Sequence, residues 1–367
     1  MATCSSEPAA AGVKRPRERI RIAFTHDYEE TSPLGSGGFG VVVKARHRVS
    51  GEAVAIKRVR YSDERSKEEA QAEVKREAQF LDACKGLPFV VGYHGLARDL
   101  ANSELCLLME FVAGPSLHAY LTDDGTPPLP ERTVRSLMWQ LLTGARNMHQ
   151  RRVVHRDIKP GNILLAGDKS VVKICDLGLA ISTKLPPPAP EMLLGKTDYD
   201  ERVDAWSDAV RRRRRQRRGG GQRREEEVGQ LAAIFDVLGV PDGRTWRGFK
   251  SLPLADEVTK KMKKKQIRRR NRLRDIFPEE TLSKQGFDVL SGLLTSNPAK
   301  RLTAAAALKM PWFNTVQALS LRHKDVEAVP AVHKRKRVVI VPPQATPKRK
   351  RVVIIPPAMP NVLLAAA

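Results

Sequence analysis

From Tyr28 to about Val112 apolar residues come in short runs: Val41-Val42-Val43, Ala53-Val54-Ala55-Ile56 and Leu105-Cys106-Leu107-Leu108. Runs of this length, rich in β-branched residues and bounded by polar stretches, predict strands. Between them Ser66 to Cys84 has helical spacing and charged faces, which predicts one helix. After Val112 the period changes. Within Arg132 to His149, Val134, Leu137, Met138, Leu141, Leu142 and Ala145 recur at three and four residues and predict a largely buried helix. The same period returns at Val228 to Leu238, Phe287 to Leu294 and Ala304 to Met310. A β-rich part followed by a helical one predicts an α+β fold of two lobes, about 27–112 and about 113–313, with a ligand cleft between them.

Both flanks and one interior stretch lack this order. Residues 1–26, rich in Ala, Pro and Arg, are expected to form a disordered basic leader, and 314–367 a disordered tail. In the tail Lys334-Arg335-Lys336-Arg337-Val338-Val339-Ile340-Val341-Pro342-Pro343 recurs as Lys348-Arg349-Lys350-Arg351-Val352-Val353-Ile354-Ile355-Pro356-Pro357. Two copies do not build a solenoid, so a duplicated linear signal is expected. Within the second lobe about 208–227 reads as an Arg-rich insertion, solvated and mobile because unpaired charges are too costly to bury.

Across all 367 residues, 65 Lys and Arg against 41 Asp and Glu give a net charge of +24. Roughly half of the basic residues fall in five segments, 14–21, 211–224, 260–274, 334–337 and 348–351. The basicity therefore belongs to tails and insertions, where it can meet acidic partners without burdening the core. Four cysteines (Cys4, Cys84, Cys106, Cys175) lie far apart, without zinc or redox spacing, and are expected as reduced thiols. No run of about 18 apolar residues occurs and the N-terminus lacks a signal-like segment, so neither membrane spanning nor secretion is expected.

Candidate chemistry follows the chain in order. Gly35-Ser36-Gly37-Gly38-Phe39-Gly40-Val41-Val42 puts glycines where a hairpin must approach phosphate oxygens and leaves backbone N–H groups free to point at them. By itself this is a weak signal. One strand later, Lys57 in Val54-Ala55-Ile56-Lys57 is placed to reach the α- and β-phosphates. A lysine on an apolar strand needs an anion; Glu77 is the preferred partner, with Glu73 one turn earlier as the competing assignment. Leu107 to Gly114 reads as a strand and hinge, where the backbone of Glu110 and Val112 would meet an adenine edge and Met109 would limit the pocket. His155-Arg156-Asp157 with Lys159 and Asn162, followed by Asp176-Leu177-Gly178, is the strongest signal. Asp157 would take a proton from an acceptor hydroxyl, Lys159 would neutralise the moving phosphoryl group, and Asn162 and Asp176 would hold Mg²⁺ through oxygen. His155 is expected as a packed structural residue.

On these motifs the chain resembles the eukaryotic protein kinases from about Tyr28 to Phe313. Lys159, two residues after Asp157, is similar to the serine/threonine-specific pattern. The segments Gln230 to Asp242, Trp246 with Phe249, and Ser296 to Ala304 resemble the closing helices of the cyclin-dependent kinases. The resemblance implies ATP and Mg²⁺ as cofactors, with Leu34, Val42 and Ala55 completing the nucleotide-binding set, and transfer of a γ-phosphoryl group to a protein substrate. It also implies a cyclin as partner, although Ser66 to Arg76 is charged and generic. Two departures stand out. Ala189-Pro190-Glu191 resembles the close of an activation segment, with Arg301 as partner of Glu191, yet only Leu179 to Pro188 separates it from Gly178. Asp204-Ala205-Trp206-Ser207 resembles the start of the helix that anchors the catalytic loop, but an arginine run follows where an apolar stripe is needed. The alternative reading is therefore a nuclear pseudokinase or scaffold with impaired transfer. Lys334 to Arg337 and Lys348 to Arg351 fit a nuclear import receptor, placing the protein in the nucleus with a cytoplasmic pool. Nucleic acid is not an expected partner, since few aromatics interleave with the basic runs.

Overall fold

Strands β1 (Ile22–Phe24), β2 (Tyr28–Gly37), β3 (Gly40–His47), β4 (Ala53–Arg58), β5 (Tyr93–Arg98) and β6 (Leu105–Glu110) form one sheet in the order β1-β5-β6-β4-β3-β2. The computed structural model describes residues 22–37, 40–59, 66–167, 169–182, 204, 220–264 and 270–316. Side chains alternate across the sheet with the two-residue strand period. Val54 and Ile56 therefore join Ala45, Ala97, Cys106 and Leu108 in a small outer core, while Ala55 packs into the main core on the opposite face. Lys57, in phase with Ala55, is carried to that inner face.

Five strands pair antiparallel, but β1 runs parallel to β5, with Ala23 opposite Ala97. Ile22 to Phe24 were expected within the disordered leader. They are ordered because Ala23 packs on the outer core, while Ile22 and Phe24 face outward. A three-residue strand gives no legible periodicity.

Helix α1 (Lys67–Ala83) starts on a capping box between Ser66 and Glu69. Its buried stripe, Ala70, Val74, Glu77, Ala78 and Leu81, carries one carboxylate among apolar groups. Below the sheet, α2 (Leu117–Leu121) is short and α3 (Glu131–Gln150) buries the predicted stripe from Val134 to Ala145, extended to Met148. At Gly144 a Cβ would sit 3.0 Å from Ile174 Cδ1 and 3.3 Å from the Phe89 carbonyl oxygen, so glycine allows this close approach. Gln140 on the same helix donates to the Ser170 carbonyl and accepts from the Val172 amide, satisfying a buried amide.

Further along, α4 (Gly220–Leu238), α5 (Ala255–Lys264), α6 (Leu273–Ile276), α7 (Lys284–Leu293) and α8 (Ala304–Ala307) make up the helical part. The helix α4 begins at Gly220, inside the insertion expected over 208–227; Arg and Glu are good helix formers and its later turns bury Leu231 and Phe235. The helix expected over Ala304 to Met310 is shorter, because Met310 precedes Pro311 and is driven to an extended backbone. Glu131, at the start of α3, accepts from the Ser283 hydroxyl at 2.6 Å and the Trp312 indole N–H at 2.6 Å, tying the C-terminal elements to the central helix. Among the described residues Cys84, Cys106 and Cys175 are free, and no helix is long and apolar enough to cross a membrane.

Candidate active site

Two small ladders bring distant loops to one place. β7 (Val153–Val154) pairs with β10 (Ile181–Ser182), and β8 (Ile163–Ala166) pairs with β9 (Val171–Ile174). The segment His155 to Asn162 runs between β7 and β8, and Asp176 follows β9. The Cys175 amide donates to the Asn162 carbonyl at 2.9 Å, stitching the two loops together.

Lys57 Nζ lies 2.9 Å from both carboxylate oxygens of Glu77 and 2.7 Å from Asp176 Oδ1. The partner of Lys57 is therefore Glu77 rather than Glu73, because only Glu77 shares the buried face of α1. Burial alone would lower the Lys57 pKa, but Glu77 and Asp176 outweigh it and hold the ammonium above the usual lysine range. Burial raises Glu77, with Lys57 opposing, whereas for Asp176 the burial penalty is outweighed by Lys57 and its carboxyl is lowered. Three charges at these distances make mutual sense only as an ion cluster.

Asp176 adopts the left-handed conformation, with φ 65 and ψ 73. For a non-glycine residue such a backbone costs on the order of 1–3 kcal/mol and persists only where its surroundings over-determine it. Here they do so through the Lys57 contact, the buried Leu177, and a bond from Arg76 Nη2 to the Gly178 carbonyl at 3.0 Å.

In the neighbouring loop Lys159 Nζ and Asn162 Nδ2 approach Asp157 Oδ2 at 2.6 and 3.0 Å, and Asn162 Nδ2 also donates to the Asp157 carbonyl. With its nitrogen so committed, Asn162 presents its amide oxygen as the end suited to a cation. That oxygen and the Asp176 carboxylate are the hard donors Mg²⁺ prefers, so the residues fit the ion. His155 is fully buried: its Nε2 donates to the Cys175 carbonyl at 2.9 Å and its Nδ1 accepts from the Asp157 amide at 3.2 Å. Both ring nitrogens are used structurally, as expected. Burial pushes the Cys175 thiol up to about 12, which leaves it protonated and unreactive.

The loop is held from beneath by Asp204. Its carboxylate accepts from the His155 and Arg156 amides, each at 2.9 Å, and lies 2.8 Å from His149 Nε2. No sequence signal singled out His149; it sits in the last turn of α3 and is recognisable only once Asp204 is beside it.

On the nucleotide side Gly35 to Gly37 and Gly40 form the tips of β2 and β3; Gly38 and Phe39 lie outside the described residues. Gly40 has φ 145, and a Cβ there would fall 1.9 Å from the Arg58 carbonyl oxygen, so only glycine fits. Leu34 is half-exposed, Val42 partly buried and Ala55 buried. At the hinge the Glu110 amide donates to the Gly92 carbonyl at 2.9 Å, and its carboxylate accepts from the Gly92 amide and Lys173 Nζ. The side chain of Glu110 thus has a structural task that was not foreseen. The Val112 carbonyl accepts from the Gly114 amide at 3.0 Å. Residues 183–203, including Thr183, Pro188 and Glu191, and residues 205–219 lie outside the described residues; Arg301 is buried and donates to the Thr295 and Ser296 carbonyls.

Comparison with known proteins bears on this arrangement. The protein kinase domain family matches residues 28–211. The chain is 38% identical over 303 residues to the putative cyclin-dependent kinase F-2 of Oryza sativa subsp. japonica, spanning 78% of this chain and 89% of that protein. It is 35% identical over 302 residues to the cell division control protein 2 homolog 3 of Trypanosoma brucei brucei, spanning 78% and 92%. With the cyclin-dependent kinase G1 of Arabidopsis thaliana it shares 30% identity over 306 residues, spanning 79% of this chain and 49% of that one.

Proposed function

The chain belongs to the protein kinase family, as a serine/threonine kinase resembling the cyclin-dependent kinases, and from that premise we propose how its residues divide the work. Lys57, fixed by Glu77, binds the α- and β-phosphates. Asn162 and Asp176 hold Mg²⁺. Asp157 orients the acceptor hydroxyl and accepts its proton, while Lys159 balances negative charge on the transferring group. Bound Mg-ATP supplies the phosphoryl group and the neutralising cation. The carrying observation is the Lys57, Glu77 and Asp176 cluster within 2.9 Å, drawn from three separate elements of the chain. Charges are rarely buried unless paired, and here the three form one site facing the loop that carries Asp157.

The Val112 amide and the Gly35 to Gly40 tips complete the nucleotide-binding reading, with Leu34, Val42 and Ala55 as the apolar lining. Two relatives named as cyclin-dependent support a cyclin as regulatory partner. Transfer of labelled γ-phosphate from ATP to a generic basic protein substrate tests the reading. Activity should fall to background in excess chelator, return on adding Mg²⁺, and rise when the cognate cyclin is supplied. A rate indifferent to chelation would reject the metal assignment, and indifference to the organism's whole cyclin set would reject the partner.

We also propose residence in the nucleus with a cytoplasmic pool. The support is the repeated Lys-Arg-Lys-Arg cluster at 334–337 and 348–351, placed beyond the matched family region. Replacing both clusters with alanine should move a fluorescently tagged chain to the cytoplasm. Unchanged nuclear accumulation would remove the import receptor from the account.

A further inference from the structure

Glu77 and Arg76 are consecutive on α1, and they grip different parts of the same loop system. Glu77 holds Lys57, which reaches Asp176 Oδ1 at 2.7 Å; Arg76 holds the carbonyl of Gly178, two residues beyond Asp176, at 3.0 Å. Between these two grips lies the left-handed turn at Asp176. Gly178 is drawn so close to α1 that a Cβ on it would stand 3.3 Å from both Glu77 Oε2 and Asp176 Oδ1. Such a turn keeps its shape only while it is held from both sides.

The grip is useful only if α1 itself is fixed. The helix has Glu68 and Glu69 in its first turn, which suit the positive end of its dipole, but no basic residue in its last turn. A cation reaches that end from elsewhere in the chain. Arg151, directly after α3, donates through Nη1 to the Ala83 carbonyl at 2.7 Å and the Lys85 carbonyl at 2.9 Å. Carbonyls at and just beyond the helix end, which lack intrahelical donors, are thereby satisfied, and α1 is tied to the segment leading into Val153 and Asp157.

We propose that Arg76 is a positioning residue for the metal-binding carboxylate: by holding the Gly178 carbonyl it sets the Asp176 turn at the distance from α1 that the Mg²⁺ site requires. This rests on the kinase reading of the site. Arg76 touches neither nucleotide nor metal in the proposal; it acts through the backbone of Gly178. Its loss should therefore show in metal affinity more than in turnover once metal saturates.

The test compares the full chain with Arg76→Met, which keeps the aliphatic stem, and Arg76→Lys, which keeps a donor. Two readouts apply: hydrogen exchange of the Leu177 to Ala180 amides without ligand, and Mg²⁺ dependence of ATP binding by calorimetry and of phosphotransfer. In Arg76→Met those amides should exchange at least tenfold faster and half-saturating Mg²⁺ should rise about five- to tenfold, with the saturated rate within about threefold of the parent. Arg76→Lys should fall between. The proposal is overturned by unchanged exchange and Mg²⁺ dependence, by a uniform fall in rate at every Mg²⁺ concentration, or by a lysine variant no better than methionine. A parent chain that binds Mg-ATP but transfers nothing sinks the kinase reading and leaves the exchange and binding comparison to decide the role of Arg76.

Discussion

Asp157→Asn should lower the rate of phosphotransfer by about 10²- to 10⁴-fold, the usual contribution of a positioned general base, while Mg-ATP binding stays within about twofold. Asparagine has the shape of the carboxylate but neither its charge nor its basicity. Its amide oxygen can still accept from Asn162, so the loop has no reason to collapse; Lys159, now 2.6 Å from a charged oxygen, loses its ion partner. Proton acceptance is removed while the nucleotide contacts proposed for Lys57 and Asp176 remain. The measurement is a single-turnover assay beside a calorimetric titration with Mg-ATP. Comparable turnover in the two proteins would show that Asp157 does not take the proton.

The largest loss of stability should come from Asp204→Ala. The carboxylate is fully buried and accepts two backbone amides while facing His149. Truncation leaves these donors without their acceptor. Each buried donor left unsatisfied costs about 1–3 kcal/mol, together a large share of the roughly 5–15 kcal/mol that holds a typical domain together. Asp204→Asn, which keeps one acceptor oxygen, should cost less. Urea unfolding of the three proteins reads the difference; a loss below about 1 kcal/mol in the alanine variant would contradict the account. Acid adds a second signature. Burial opposes ionisation of Asp204, but the His149 contact and the Arg156 amide outweigh it, so its folded pKa lies below the ordinary aspartate value. A depressed carboxyl stabilises the fold above the unfolded pKa of about 4, and that stability is lost as pH falls through the folded value. The parent should therefore lose thermal stability on acidification below about pH 4 with a slope that Asp204→Asn lacks.

What was legible in the sequence were residues whose chemistry is local to a motif. Lys57 announces itself as a cation directly after the apolar run Ala53 to Ile56, and Asp157 with Lys159 and Asn162 by spacing within one loop. The choice between Glu73 and Glu77 could be framed but not closed, since both lie on α1 and only its rotation against the sheet separates them. Side chains that act on backbone groups were harder to read. Arg76 and Arg151 each meet peptide groups far along the chain, and peptide groups have no residue type to read; Asp204 was marked by the resemblance as the start of an anchoring helix, but its amide and His149 partners were not. Glu110 was assigned for its backbone, while its carboxylate turned out to bridge Gly92 and Lys173. Strand β1 was missed for the opposite reason: three residues are too few for a period, and its order comes from pairing with β5 and from the packing of Ala23 on the outer core.

That strand has a consequence for how the chain is made. Ile22 to Phe24 leave the ribosome before their pairing partners, Leu96 to Arg98, which follow only after three further strands, β2 to β4, and the whole of α1 have been synthesised. Long separation between pairing segments delays closure, because the loop entropy must be met before any contact rewards it. During translation β1 is therefore the strand left unpaired for longest, and an unpaired edge is where chains stick to one another. The basic stretch just upstream in sequence, Lys14 to Arg21, puts like charge next to that strand along the chain, where it repels a second copy until β5 arrives.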